Sequence, residues 1–143
     1  MNRTVLLESA SKIPPVTDAT LKELKLKGDK IIAEVNERML SREDCLELIG
    51  GSKNADLMKD NHTNHFKFIV SILTQYDPEV LVDTVLWVFR VYKSRGFNDC
   101  YWIAQINTWI ALYNENISDN SYKEISHLYN WLITNIPLFS AQS

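Results

Sequence analysis

The stretch DNHTNHFKFIVSILTQYDPEVLVDTVLWVFRVYKSRG, residues 60–96, decides the fold class of this chain. Its apolar residues recur at the spacings of three and four that are typical of helices. Asp77 can cap a second helix, with Pro78 at its first position, and Gly96 can end it. That second helix is apolar around most of its circumference. We therefore predict that it lies at the centre of an all-α fold.

The rest of the chain shows further helix signals and no sustained alternation of the kind that strands produce. The predicted N-caps are Thr17 or Asp18, Ser41, Asn54, Asp77, Asn98 or Asp99, and Ser118. The helix after Ser41 is short and ends at Gly50-Gly51, and Gly28 marks a point where the first long helix can split or kink. Short connections favour antiparallel neighbours, so we expect a compact five- to six-helix bundle, with a globin-like arrangement as one form.

Prolines suggest where the helical domain begins and ends. Pro14-Pro15 stop any preceding helix, so residues 1–16 are predicted to be an arm that is either loose or docked. A single helical domain follows over residues 17–137, because the chain has the length of one domain. The last helix is expected to end before Pro137, which leaves residues 138–143 as a tail.

The composition narrows the class of function. A formal net charge of −3 provides no basic field for a phosphate backbone, so we expect no nucleic-acid binding. No window approaches the roughly 20 apolar residues that a membrane span needs. The two cysteines, Cys45 and Cys100, lie far apart and have no metal-ligand spacing. We expect a cytoplasmic protein without a membrane segment.

His65 is the most informative titratable residue, because it falls in the middle of an apolar stripe near Phe68 and Ile69. An imidazole in a dry pocket can be a haem axial ligand, an effector-binding group or a proton-sensitive switch. It can also be a neutral core histidine that hydrogen bonds satisfy. His62 is expected at the edge of this face and partly exposed. Paired with His65 it makes only a weak metal site, because nearby Asp60 is the one candidate for a third ligand.

Two tryptophans complete the candidate ligand pocket that includes His65, Phe68 and Ile69. Trp87 lies on the next helix and Trp109 on the fifth, and aromatic side chains can line a ligand pocket or fill a core. Asp83 either orients the His65 imidazole or is a surface acid that the helix dipole favours. The sequence contains no phosphate-binding loop, nucleophile elbow or paired-carboxylate arrangement, so we predict no enzymatic activity.

A family resemblance rests on three short segments: Asp60 to Phe68, Asp83 to Trp87, and Arg95-Gly96. An acid five residues before a histidine, Asp-x-x-x-Trp on the next helix and a closing Arg-Gly turn together resemble the helical, globin-like N-terminal sensory domain of bacterial signalling proteins. Such domains are found ahead of stressosome-type or cobalamin-binding modules. The Trp followed by Glu-His that is associated with light-sensing cobalamin modules is absent here.

The resemblance implies a sensor domain, often dimeric, whose ligand differs between members. We therefore expect a non-enzymatic sensory or regulatory domain that acts through a homodimer or a signalling-protein partner. One alternative is a haem-dependent oxygen or redox sensor with His65 as the axial ligand. The other is a structural adaptor that presents a helix groove or an aromatic patch to a partner.

Overall fold

The structure, a computed structural model, describes residues 2–142. All secondary-structure elements in that range are helical. Over that range the helices are α1 (Asn2–Ala10), α2 (Asp18–Leu40), α3 (Cys45–Ile49), α4 (Ala55–Thr74), α5 (Pro78–Ser94), α6 (Cys100–Asn116) and α7 (Asp119–Ala141), with a 3₁₀ turn at Ser52–Asn54. The all-α prediction is confirmed. The predicted count of five to six helices is wrong, because the arm contains a further helix. A globin-like topology stays a prediction.

Several predicted helix starts are confirmed by side chains that accept hydrogen bonds from first-turn amides. The Asp77 carboxylate accepts from the main-chain N–H of Glu79 at 2.9 Å, and Pro78 is the first residue of α5. The hydroxyls of Thr17 and Ser118 cap α2 and α7 in the same way. These local signals mark where the helices begin.

The side chains of Ser41 and Asn54 act differently from the prediction. The Ser41 hydroxyl donates to the main-chain oxygen of Glu37, so it closes α2 rather than opening α3. Asn54 does precede α4, but its amide donates to the main-chain oxygens of Ile49, at 2.7 Å, and Arg95, at 2.9 Å. It therefore ties the turn after α3 to the end of α5.

Glycines allow two close approaches. Gly50 has φ +83, and a Cβ there would lie 2.5 Å from the carbonyl oxygen of Gly96. The two turns can therefore meet backbone to backbone. Gly28 does not split α2: the helix runs through it, and a Cβ there would lie 2.5 Å from a ring carbon of Phe66. Glycine at this point lets α4 pack closely on α2.

Among the long helices α6 is the most deeply buried, and it packs on α2, α3 and α7. The prediction that α5 is central is wrong, because α5 packs mainly on α1 and α7. Its outer surface faces solvent, with Val80 47% and Trp87 56% exposed. Much of the remaining apolar surface of α5 faces a cavity rather than another helix.

The residues assigned to the arm and the tail belong to the bundle. In α1, Leu6 and Ala10 are fully buried against α5 and α7, so the arm is docked. The prediction that α7 ends before Pro137 is wrong, because the helix continues to Ala141. Phe139 is fully buried, and packing of its ring anchors the last turn.

Met1 and Ser143, which the predicted arm and tail include, lie outside the described residues. Within the described part of the chain, no helix combines the length and the apolar composition that crossing a membrane requires.

Candidate functional site

A cavity of about 370 Å³ lies between α5 on one side and α4 and α6 on the other, with one residue of α7 at its edge. The α4 wall is one helical stripe, whose members recur at spacings of three, four and one: Leu57, Asn61, Asn64, His65, Phe68 and Ile69. Three of the predicted pocket residues, His65, Phe68 and Ile69, therefore lie on this wall.

The mouth and the floor of the cavity differ in character. Trp87, Arg95 and Asn64 line the cavity and are exposed, so they mark its opening. The floor is aromatic: the rings of Phe89 and Trp102 stack with their centroids 4.4 Å apart. A molecule that enters passes from a polar rim to an apolar interior.

Trp109 and His62 lie behind the α4 wall and do not line the cavity. Trp109 is fully buried, with its ring centroid 5.0 Å from that of His65. His62 is also fully buried, so the prediction that it is partly exposed is wrong. The reason is the rotation of α4, which turns His62 towards Asn36 of α2 and Tyr101 of α6.

A buried polar network connects α2, α4 and α6. His62 Nδ1 lies 2.6 Å from Asn36 Oδ1, and His62 Nε2 lies 3.1 Å from the hydroxyl of Tyr101. The Tyr101 hydroxyl donates to Asn61 Oδ1 at 2.7 Å, and Gln105 Nε2 donates to the same oxygen at 3.0 Å. Asn61 and Gln105 both line the cavity, so the network reaches the floor of the site.

A second chain of hydrogen bonds starts at His65. His65 Nε2 lies 2.8 Å from the hydroxyl of Tyr129, which in turn lies 2.9 Å from the hydroxyl of Tyr113. Burial raises the pKa of both tyrosines above the ordinary value. The phenols therefore remain neutral and available as hydrogen-bond partners at neutral pH.

Both histidines are neutral at pH 7, because burial disfavours their charged forms. Desolvation lowers the pKa of His62 to about 4. Burial and the nearby His62 lower the pKa of His65 to about 3. Part of the His65 surface faces the cavity, although protein surrounds the imidazole on its other sides.

The Nε2 nitrogen of His65 is not free to bind a haem iron. A haem iron would bind a ring nitrogen that is free to point at it. Here Nε2 is engaged by Tyr129, and the ring packs between Tyr129 and Trp109. The imidazole is neutral, and a hydrogen bond to Tyr129 holds one of its two ring nitrogens. Residues 2–142 also contain no group of three or more His, Cys, Asp and Glu side chains that could hold a metal ion.

The predicted supporting acids lie away from the cavity. Asp83 is exposed and pairs with Arg3 through two contacts of 2.8 and 3.0 Å. Of the two roles expected for Asp83, the structure shows the surface acid, whose carboxylate pairs with α1 and does not contact His65. Asp60 is exposed on α4 and does not line the cavity.

Comparison with protein-family models, curated proteins and solved structures found no match to this chain. Membership of the sensory family suggested by the sequence segments is therefore still a prediction, and the geometry of the site carries the functional argument.

Proposed function

We propose that this protein is a non-enzymatic ligand-binding regulatory domain. It binds a small, largely apolar molecule between α5 and the α4–α6 wall and transmits binding through the position of α5. The observation that supports this is the cavity itself. Its volume of about 370 Å³ falls in the range of small-molecule pockets, and its aromatic floor and polar rim are typical of such sites.

The cavity offers apolar surface to a ligand, because no other part of the fold within residues 2–142 covers that surface. Phe68 of α4, Val88 of α5 and Ile106 of α6 all line the space. Each square ångström of apolar surface that a ligand covers contributes about 25 cal/mol. An apolar molecule is therefore favoured over a charged one, which would lose its hydration without gaining a buried partner.

The packing of α5 provides a route for the signal. This helix packs on α1, and the exposed Arg3–Asp83 pair joins the two. On its other side, α1 is joined to α7 by the Trp131 indole, which donates to the hydroxyl of Ser9 at 2.9 Å. A ligand that holds α5 at one distance from α4 therefore also sets the position of α1.

A ligand can shift this packing only if it binds one arrangement more tightly than the other. The change would then reach a second chain, either another copy of this protein or a signalling partner, through helix packing or dimerisation.

The test is an NMR titration of ¹⁵N-labelled protein with indene as an apolar probe. We expect saturable shifts of the indole N–H signals of Trp87 and Trp102, which line the cavity. The signal of Trp131, whose indole N–H donates to Ser9 of α1, reports whether binding at the cavity is transmitted to α1.

A cavity-filling variant provides the control. Val85→Trp places a large ring in the site and should abolish binding, because Val85 lines the cavity and is buried. Val80→Trp adds the same ring to the same helix at a position that is 47% exposed and outside the cavity, and it should leave binding intact. No saturable shift with indene, or equal binding by the Val85→Trp variant, would remove the support for a ligand site here.

A further inference from the structure

We infer that the ligand carries a neutral hydrogen-bond donor, a hydroxyl or a ring N–H, and that Gln105 selects for it. This inference rests on the proposed ligand site between α4, α5 and α6. Gln105 lies on α6, is fully buried and lines the cavity floor. It is thus placed where a bound molecule meets the buried polar network.

Only one end of the Gln105 amide is satisfied. Nε2 donates to Asn61 Oδ1 at 3.0 Å, whereas Oε1 has no hydrogen-bond partner among residues 2–142. A buried acceptor without a partner is unusual, because the group has lost its bonds to water without replacing them. A ligand that donates one hydrogen bond to Oε1 would complete the amide.

The orientation of the amide follows from its neighbours. Asn61 Oδ1 accepts from Tyr101 as well as from Gln105, so this oxygen requires an N–H from the glutamine. Reversing Gln105 alone would place two oxygens against each other. With Tyr101 donating to Asn61 Oδ1, the Gln105 amide presents its N–H to Asn61 and leaves Oε1 for a ligand. Turning both amides over together would instead leave Nε2, and a probe that carries only an acceptor distinguishes that case.

The walls limit the kind of donor. Among the described residues that line the cavity there is no aspartate or glutamate, and the charged side chain, Arg95, lies at the exposed rim. An ammonium group would enter without a counter-ion, which is unfavourable in an apolar site. The donor that fits is uncharged and is carried on an apolar body.

Three isosteric bicyclic probes separate the possibilities. Indole has a ring N–H donor, indene has no polar atom, and benzofuran has only an acceptor oxygen. One neutral hydrogen bond corresponds to a several-fold change in dissociation constant, so we expect indole to bind about fivefold more tightly than indene. The dissociation constants are measured by the NMR titration described above.

The Gln105→Met variant tests whether this preference depends on the amide. We expect indole and indene to bind it equally, because the acceptor is gone while an unbranched side chain of similar length remains. Gln75→Met makes the same substitution at an exposed position outside the cavity and should keep the fivefold preference.

A second readout uses the unaltered protein, in case Gln105→Met does not fold. The chain has three glutamines, so selective ¹³C labelling resolves the side-chain carbonyl of Gln105. That signal should shift with indole well beyond any shift caused by indene.

The outcomes separate this inference from the proposed function. Equal affinities for indole and indene, or a preference for benzofuran, would overturn the role of Gln105 while leaving the ligand site in place. Absence of binding by all three probes would overturn both.

Discussion

Acidification from pH 7.5 to 5.0 should lower the free energy of unfolding by about 3 to 4 kcal/mol, through His62 and His65. Burial lowers the pKa of these side chains to about 4 and about 3, from an ordinary value of 6.5. Between the two values the unfolded chain binds protons that the folded protein does not. Stability is therefore complete above pH 6.5 and is lost as the pH falls towards the folded-state pKa values.

The magnitude follows from about 1.4 kcal/mol per pH unit for each imidazole. Because pH 5.0 lies about 1.5 units below the ordinary pKa, each fully buried histidine contributes about 2 kcal/mol. His62 has no exposed surface and contributes fully. His65 faces the cavity on one side, where solvent can screen its charge, and contributes somewhat less.

Carboxyl groups act at lower pH. Hydrogen bonds from Arg42 and Arg38 lower the pKa of Asp44 and Glu115, respectively. The stabilisation that these acids provide is present above their unfolded-state pKa and is lost only as the pH falls through the folded-state values. The interval from pH 7.5 to 5.0 therefore isolates the histidines.

The assay is urea unfolding followed by far-ultraviolet circular dichroism at five pH values across that interval. The His62→Gln variant should lose about half of the pH dependence, whatever its stability at pH 7.5. His127→Gln, on the exposed surface of α7, should retain the wild-type profile. A free energy of unfolding that changes by less than about 1 kcal/mol in the wild type would refute buried neutral imidazoles.

Three further outcomes can be measured on the same protein. Gly50→Ala should lower the free energy of unfolding by roughly 2 kcal/mol or more, which thermal unfolding measures. The reasons are the positive φ of Gly50 and the clash of the added Cβ with the carbonyl oxygen of Gly96. Tyr129→Phe should cost about 1 to 3 kcal/mol in urea unfolding, because it leaves His65 and Tyr113 without their shared partner. Protein purified from haem-supplied cells should show no stoichiometric Soret band, because the Nε2 of His65 is engaged; a stoichiometric band that His65→Ala removes would contradict that geometry.

The helices themselves could be read from local chemistry, because caps and glycines act within a few residues. Asp77, Pro78 and Gly96 bound α5 within the sequence that encodes it. Helix α1 could not be found in this way. Its stability comes from burying Leu6 and Ala10 on α5 and α7, and no local signal records that packing.

The placement of α5 shows a second limit. The apolar circumference of α5 predicts that most of its surface is shielded from water. It does not predict whether a given side packs against another helix or lines a cavity. Here one side packs on α1 and α7, another faces the cavity, and Trp87 reaches solvent.

The candidate site was predicted in part, because helical spacing groups residues on one face. His65, Phe68 and Ile69 do line one cavity with Trp87, as the pocket prediction grouped them. The relative burial of His62 and His65 depends on the rotation of α4, which spacing alone leaves open. In the sequence, Gln105 is only a polar residue in a largely apolar helix. Its place in the site depends on a hydrogen bond to a residue of another helix, which the sequence does not reveal.

The fastening of α5 at both ends has a kinetic consequence. At its start the helix is joined to α1 through Arg3 and Asp83, and at its end the Asn54 amide holds the carbonyl of Arg95. Movement of α5 away from α4 strains both of these contacts, so they oppose any entry of a ligand that needs α5 to move. The mouth beside Trp87 and Asn64 leaves both contacts in place, so a ligand that enters there binds at a rate set by this opening rather than by movement of α5.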